Sequence, residues 1–217
     1  MRYRNWIFDL DGTLVDSAPD VIDALQRAME ASNLVPAAIV TSDCIGPPIK
    51  EIIKTLAPEA SVAAIAKAVS FFRDFYDEAP MSRTLAYPGV IDALEKARAS
   101  GCNVFIATNK PQKPTFRIID HLFRGKIDKT ACIDTLPGTK LSKAEMISWL
   151  LLENSLSGTD TVMVGDGVSD IKGALSTKCY PVGVLYGYGC ARDLAAAGCI
   201  SFVEDSLHLY STLEDLV

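Results

Sequence analysis

The sequence predicts an α/β fold: a parallel sheet with helices on both faces, interrupted once by an inserted helical segment. Three observations carry this. First, short apolar runs rich in Val, Ile and Phe recur along the 217 residues, at 5–8, 102–107, 131–133, 161–164, 181–185 and 200–203. Second, segments with helical spacing separate most of these runs, as at Val90, Leu94 and Ala97 or at Ile147, Leu150 and Leu151. Strands alternating with helices imply a covered parallel sheet, and runs such as TVMVG and NVFIAT have the unbroken apolar character of strands buried on both faces. Third, the alternation lapses from about Val15 to Ser82, where no convincing strand appears. There the apolar positions keep helical spacing through Val21, Leu25 and Met29, then Val62, Ile65, Val69, Phe72 and Tyr76.

Residues 15–82 are therefore read as a helical domain inserted after the first strand, and residues 1–14 and 83–217 as the sheet domain. Gly46-Pro47-Pro48 marks a turn inside the insertion, and the chain returns to the sheet near Tyr87-Pro88-Gly89. There is no internal repeat and no low-complexity segment.

Composition narrows the function. Hydrophobic residues make up 49% and charged residues 22%, enough apolar content for a packed core and too little charge for wholesale disorder. Lys and Arg number 21 against 27 Asp and Glu, a net charge of −6. A surface of that balance repels nucleic acid and anionic membranes, and no basic run argues otherwise. Phosphate binding would then need locally placed donors. The six cysteines show no C-x-x-C pair, and four lie beside or within apolar runs, as small core residues do. Neither a zinc site nor a disulfide framework is expected. Asp9 breaks what would otherwise be a signal-peptide apolar region behind Arg2 and Arg4. No apolar run nears the ~20 residues that span a bilayer. The expectation is a soluble cytoplasmic protein, monomer or homodimer, with no nucleic-acid or membrane partner.

Ligands of open parallel sheets bind at the carboxyl ends of the strands. The first run ends in Asp9-Leu10-Asp11-Gly12-Thr13 and the second in Thr108-Asn109-Lys110. The third is followed by a loop carrying Lys140 and Lys143, and the fourth ends in Gly165-Asp166-Gly167-Val168-Ser169-Asp170. Each cluster alone would pass for a turn or a helix cap. Together, on four strand ends, they converge on one site. Two neighbouring carboxylates become tolerable beside a divalent cation, and Asp166 and Asp170 would add ligands of the same hard type. Magnesium prefers few protein carboxylates, retained waters and a substrate phosphate. An ionised aspartate facing phosphorus is a nucleophile that forms an aspartyl-phosphate. The second aspartate can act as acid toward the leaving group and then as base toward water. Gly12 allows close backbone approach to a phosphate, and the N–H groups of its turn can cradle the oxygens. Thr108, Asn109 and a lysine supply further donors.

The stretches FDLDGTLVDSAPD, YPGV, ATNKP, KAEMI, MVGDGVSDIKGA and GVLYGYG, spanning Phe8 to Gly189, carry a family resemblance. The chain resembles the haloacid dehalogenase-like hydrolases, and within them the phosphoglycolate phosphatase-like branch with a Rossmann-like core and a helical cap. The resemblance implies that Asp9 is the nucleophile and Asp11 the acid and base. It implies that Mg²⁺ is held by Asp9, Asp166 and the Asp11 backbone carbonyl, with Asp170 at the last position of the metal-side motif. Gly12, Thr13, Thr108 and Asn109 would then bind the phosphoryl group.

One departure concerns the lysine. The usual Lys-Pro before the third-motif helix is replaced by Gly138-Thr139-Lys140-Leu141-Ser142-Lys143-Ala144-Glu145. Lys143 is taken as the catalytic lysine, because Ser142 and Glu145 read as the N-cap and third position of a helix. A lysine in a first helical turn opposes the helix dipole, which points to another purpose there. Lys140 belongs to a flexible loop. Lys50, just past the Gly-Pro-Pro turn, is expected to offer charge to an anionic substrate.

The expected activity is Mg²⁺-dependent hydrolysis of a small phosphorylated metabolite, with a phosphoglycolate-like phosphomonoester favoured. The alternatives on the same core are a β-phosphoglucomutase-like mutase and a pyrophosphatase or 5'-nucleotidase. A phosphonate-cleaving relative would need a cap lysine, for which Lys50, Lys54 and Lys67 are candidates. A dehalogenase attacks carbon and has no need of Asp11. A phospho-accepting binding module would keep its aspartyl-phosphate, whereas a base at Asp11 hydrolyses it. A cap that excludes water also favours an enzyme.

Overall fold

The computed structural model describes residues 3–77, 79 and 81–216. In chain order the strands are β1 (Asn5–Phe8), β2 (Val15–Asp16), β3 (Leu85–Ala86), β4 (Asn103–Thr108), β5 (Lys129–Cys132), β6 (Thr161–Gly165), β7 (Tyr180–Val184) and β8 (Phe202–Val203). The helices are α1 (Ala18–Ala31), α2 (Ile49–Leu56), α3 (Val62–Tyr76), α4 (Val90–Ala99), α5 (Gln112–Leu122), α6 (Lys143–Glu153), α7 (Val168–Ser176), α8 (Ala191–Ala196) and α9 (Leu209–Glu214). The chain forms two compact units, residues 1–16 with 86–217 and residues 17–85.

The larger unit holds a six-stranded parallel sheet in the order β5-β4-β1-β6-β7-β8. The chain builds outward from β1 through β4 to β5, then reverses to β6 and continues to β7 and β8. That reversal places a switch point between β1 and β6, where a crevice opens at the carboxyl ends of the strands.

The middle of the sheet explains the apolar runs. Trp6, Ile7 and Phe8 of β1 are fully buried, and successive side chains of a strand point to opposite faces. Ile7 joins Phe105, Ala107, Ala131 and Met163 under Met146, Ile147 and Leu150 of α6. On the other face the Trp6 ring meets the rings of Phe8 and Tyr210. After its first residue, Asn5, this central strand is thus apolar at every position, and burying each such side chain contributes about 1.5–3 kcal/mol. Cys102, Cys132, Cys179 and Cys199 are buried, Cys44 is half-buried and Cys190 exposed, all as free thiols.

In the smaller unit α1 buries Val21, Leu25 and Met29 and packs on α3, which buries Ile65, Ala68, Phe72 and Tyr76. Ser61 caps α3 by accepting the Ala64 N–H. Val62, at the start of that helix, is exposed although it fits the periodicity. Asp20 of α1 is buried and accepts from the Arg83 N–H at 3.1 Å and the Thr84 hydroxyl at 2.8 Å, which ties the returning segment to the helix.

The ribbon of β2 and β3 differs from the sequence reading, which placed no strand from about Val15 to Ser82 and none at 85–86. Two residues are too few to display a period of two, and the pairing partner is remote in sequence. Among the described residues no helix is long and apolar enough to cross a membrane.

Candidate active site

The polar strand ends meet around the β1–β6 crevice. Asp9 directly follows β1, and its backbone N–H still bonds the Val164 carbonyl of β6 at 2.8 Å. The ladder therefore holds the residue rigidly. Its neighbour in space is Lys143, the first residue of α6. The Lys143 ammonium lies 2.9 Å from Asp9 Oδ1 and donates to the Ala107 carbonyl at 2.7 Å. It also lies 2.8 Å from Asp170 Oδ1, as an ion pair out of hydrogen-bond alignment. The helix start that delivers it is a capping box: Glu145 N–H donates to Ser142 Oγ and Ser142 N–H to the Glu145 carboxylate. Lys140 is exposed in the preceding loop.

Asp166 follows β6 and accepts the Tyr188 N–H at 2.8 Å, with the Thr13 hydroxyl at a long 3.5 Å. Asp170 sits in the first turn of α7, where its Oδ2 accepts the Gly167 N–H at 3.0 Å. Carboxylate oxygens of Asp9, Asp166 and Asp170 lie within 4.8 Å of one another, and all three residues are buried.

Three buried carboxylates facing one ammonium are under-neutralised. Burial, then the charges of Asp170 and Asp166, pushes Asp9 up to about 8 against the pull of Lys143. Burial and then Asp170 push Asp166 up to about 6, with the Tyr188 N–H opposing. Burial alone would lower Lys143, but Asp170 and Asp9 outweigh it and hold the ammonium above the ordinary lysine value. Clustered hard oxygens with surplus negative charge, one of them a buried oxygen lacking an aligned donor, fit a small divalent cation.

Asp11 occupies a different environment. Its side chain is outside the three-carboxylate cluster. Both its oxygens take the Lys110 ammonium, at 2.8 and 3.0 Å. Thr108 is buried at the end of β4 and its hydroxyl oxygen accepts the Lys110 N–H at 3.1 Å, while Asn109 beside it is half-buried. Gly12 has φ +79°, and a Cβ there would overlap the Asp166 carboxylate, so the turn after β1 can lie against β6 only with glycine at this point. Lys50 lies on the first turn of α2 in the smaller unit, exposed, as are Lys54 and Lys67.

Two contributions were not assigned from sequence. Lys110 stands in the ATNKP stretch, but nothing local says that its ammonium reaches Asp11. The loop after β7 supplies the Tyr188 N–H to Asp166, the Tyr188 hydroxyl to Asp16 at 2.9 Å and the Tyr186 hydroxyl to the Thr13 carbonyl at 3.0 Å. Its signal was the GVLYGYG stretch, whose glycines and tyrosines brace the turn after β1.

Comparison with known proteins shows the family of the chain. Residues 6–184 match the family described as haloacid dehalogenase-like hydrolase. The chain belongs to that family. A phosphoglycolate phosphatase of Vibrio cholerae is 32% identical over 214 residues, covering 92% of each chain. A 5'-nucleotidase of Pseudomonas aeruginosa is 28% identical, covering 99% of this chain and 97% of its own. A crystal structure of a predicted phosphatase from Clostridium acetobutylicum superposes with a TM-score of 0.88 at 24% identity over the whole of both chains, a likeness of fold.

Proposed function

We propose that the protein is a Mg²⁺-dependent phosphatase that hydrolyses a small phosphomonoester, of the phosphoglycolate type, through an aspartyl-phosphate on Asp9. The observation that carries this is the buried arrangement of Asp9 with Lys143, Asp166 and Asp170 at the switch point of the sheet. An Asp9 oxygen attacks phosphorus and the bond to the leaving alcohol breaks. The departing oxygen keeps the electron pair and takes a proton from Asp11, which enters this step as the carboxylic acid, one oxygen protonated and the other on Lys110. Asp11, now a carboxylate, takes a proton from water, whose oxygen attacks the same phosphorus. The phosphorus–Asp9 bond breaks and inorganic phosphate leaves.

Lys143 pulls Asp9 toward its anionic form, which a bound cation would complete, and balances charge on the phosphoryl oxygens. Thr108, Asn109, Thr13 and the N–H groups around Gly12 donate to those oxygens. Asp9, Asp166 and the Asp11 carbonyl would hold Mg²⁺, with Asp170 behind them, and the cation would neutralise the phosphoryl charge. The helical insertion, residues 15–82, is read as a mobile cap with hinges near residues 15–16 and 82–85. Lys50 on it offers charge to the substrate. The enzyme is read as cytoplasmic, acting as a monomer or homodimer.

A nucleoside monophosphate is the second substrate reading, favoured by the near full-length similarity to a 5'-nucleotidase. Phosphate release from phosphoglycolate, nucleoside monophosphates and sugar phosphates, with Mg²⁺ and with EDTA, tests both. Turnover of phosphoglycolate ahead of the nucleotides is expected, and only with Mg²⁺. Undiminished activity in EDTA overturns the metal assignment, and failure on every ester overturns the phosphatase.

A further inference from the structure

We propose that Lys110 is the positioning residue for the acid–base group, holding the Asp11 carboxylate by both oxygens and orienting the Thr108 hydroxyl. The proposal rests on the phosphatase reading above and adds a role that the reading does not assign.

Lys110 is a poor candidate for a solvated surface lysine. The residue is 8% exposed, and a buried ammonium is costly unless it is paired. Its pairing is specific. The two distances to Asp11, 2.8 and 3.0 Å, are nearly equal, so one ammonium spans both oxygens and fixes the plane of the carboxylate. Asp11 needs such a hold because it precedes Gly12 in a tight turn rather than lying within a strand. The neighbouring Asp9 is held by the sheet ladder itself.

The lysine is in turn fixed by its backbone. It lies two residues beyond β4 and immediately before Pro111. A residue preceding proline is confined largely to extended conformations. Its N–H is bonded to Thr108 Oγ1 at 3.1 Å, and its carbonyl faces the Thr115 hydroxyl at 3.5 Å. Since Thr108 Oγ1 accepts from Lys110, its own hydrogen is left to donate elsewhere, as a phosphoryl-binding hydroxyl must. The rigidity of the sheet thus passes from β4 through Lys110 to the Asp11 carboxylate and the Thr108 hydroxyl together.

The expected consequence depends on the leaving group. A general acid must lie within hydrogen-bond reach of the departing oxygen, and a misplacement of ~1 Å can cost about 10²-fold. An alkoxide needs that proton as it leaves, whereas a nitrophenolate does not. In kcat/KM, which reports the steps through cleavage of the P–O bond, Lys110→Met should lose about 10²-fold on an alkyl phosphate. On nitrophenyl phosphate the loss should stay below about tenfold. Asp11→Asn should show the same split. The double variant should be no worse than Asp11→Asn alone, because residues that act through one another are not additive. Lys110→Arg, which keeps a charged donor for both oxygens, should recover part of the loss on the alkyl ester. Equal losses on both esters, or losses that multiply in the double variant, overturn the proposal. Should thermal melting show Lys110→Met unfolded, Lys110→Gln carries the same cycle. Failure of the unaltered protein to hydrolyse either ester instead refutes the phosphatase reading.

Discussion

The two aspartates of the turn after β1 stand two positions apart and are held in opposite ways. Asp9 shares one ammonium, Lys143, with Asp170 and lies in a cluster with Asp166, so negative charge is in surplus around it. Asp11 has the Lys110 ammonium across both its oxygens. The two lysines come from different places, Lys143 from the start of α6 and Lys110 from the end of β4. The difference teaches how one short motif can supply two chemistries. Titratable neighbours take separate roles when their surroundings differ. In the function proposed above, Asp9 on the side of the carboxylate cluster is the nucleophile, and Asp11 on the side of Lys110 gives and takes the proton.

The comparison can be broken most sharply at the aspartates themselves. Asp9→Asn keeps the shape but removes the nucleophile, and turnover should fall on the order of 10⁴-fold or more, the scale on which nucleophile loss acts elsewhere. Asp11→Asn should cut turnover by about 10²–10⁴-fold. Magnesium binding, followed by calorimetry, should survive the Asp11 change and weaken with the Asp9 change. Identical metal affinities in the two variants would erase the distinction between the sites.

The lysines give the next largest effect. Lys143→Met should lower kcat by about 10²–10³-fold, as loss of one charge-stabilising donor does, while Lys140→Met should be mild. The reverse pattern in steady-state kinetics would reassign the role to Lys140.

A smaller effect concerns stability without metal. Asp9 is pushed up to about 8 from an ordinary 3.8, so the folded state keeps a proton that the unfolded chain has released. The stability this contributes is complete below the unfolded value and is lost as pH rises through the folded one. In EDTA the thermal midpoint should therefore fall between about pH 5 and pH 8, and Asp9→Asn should flatten much of that slope. Parallel slopes in the two proteins would show that the surplus charge at Asp9 does not govern the profile.

The smallest effect lies outside both pairs. Lys50→Ala should reorder substrate preference on a panel while sparing hydrolysis of a small aryl phosphate. An equal loss on every substrate would remove Lys50 from specificity.

By itself the sequence determined what local chemistry determines. The runs around Trp6, Val104 and Val162 are apolar at every step because central parallel strands are buried on both faces, and so they were legible. Ser142 and Glu145 announced the helix that begins at Lys143, since a capping box closes within four residues. The positions of Asp9, Asp11, Asp166 and Asp170 at strand ends were legible as well. Tertiary structure alone decided the partners. That β6 lies beside β1, though it is the fourth strand of the sheet to form along the chain, is a matter of strand order, and no residue of β6 encodes its neighbour. Only that order brings Asp166 and Asp170 to Asp9. Likewise Lys110 meets Asp11 because β4 is the other neighbour of β1, and the Tyr188 N–H meets Asp166 because β7 follows β6 in the sheet. Local pattern specifies which groups stand at the strand ends, and the packing of strands remote in sequence determines which of them touch.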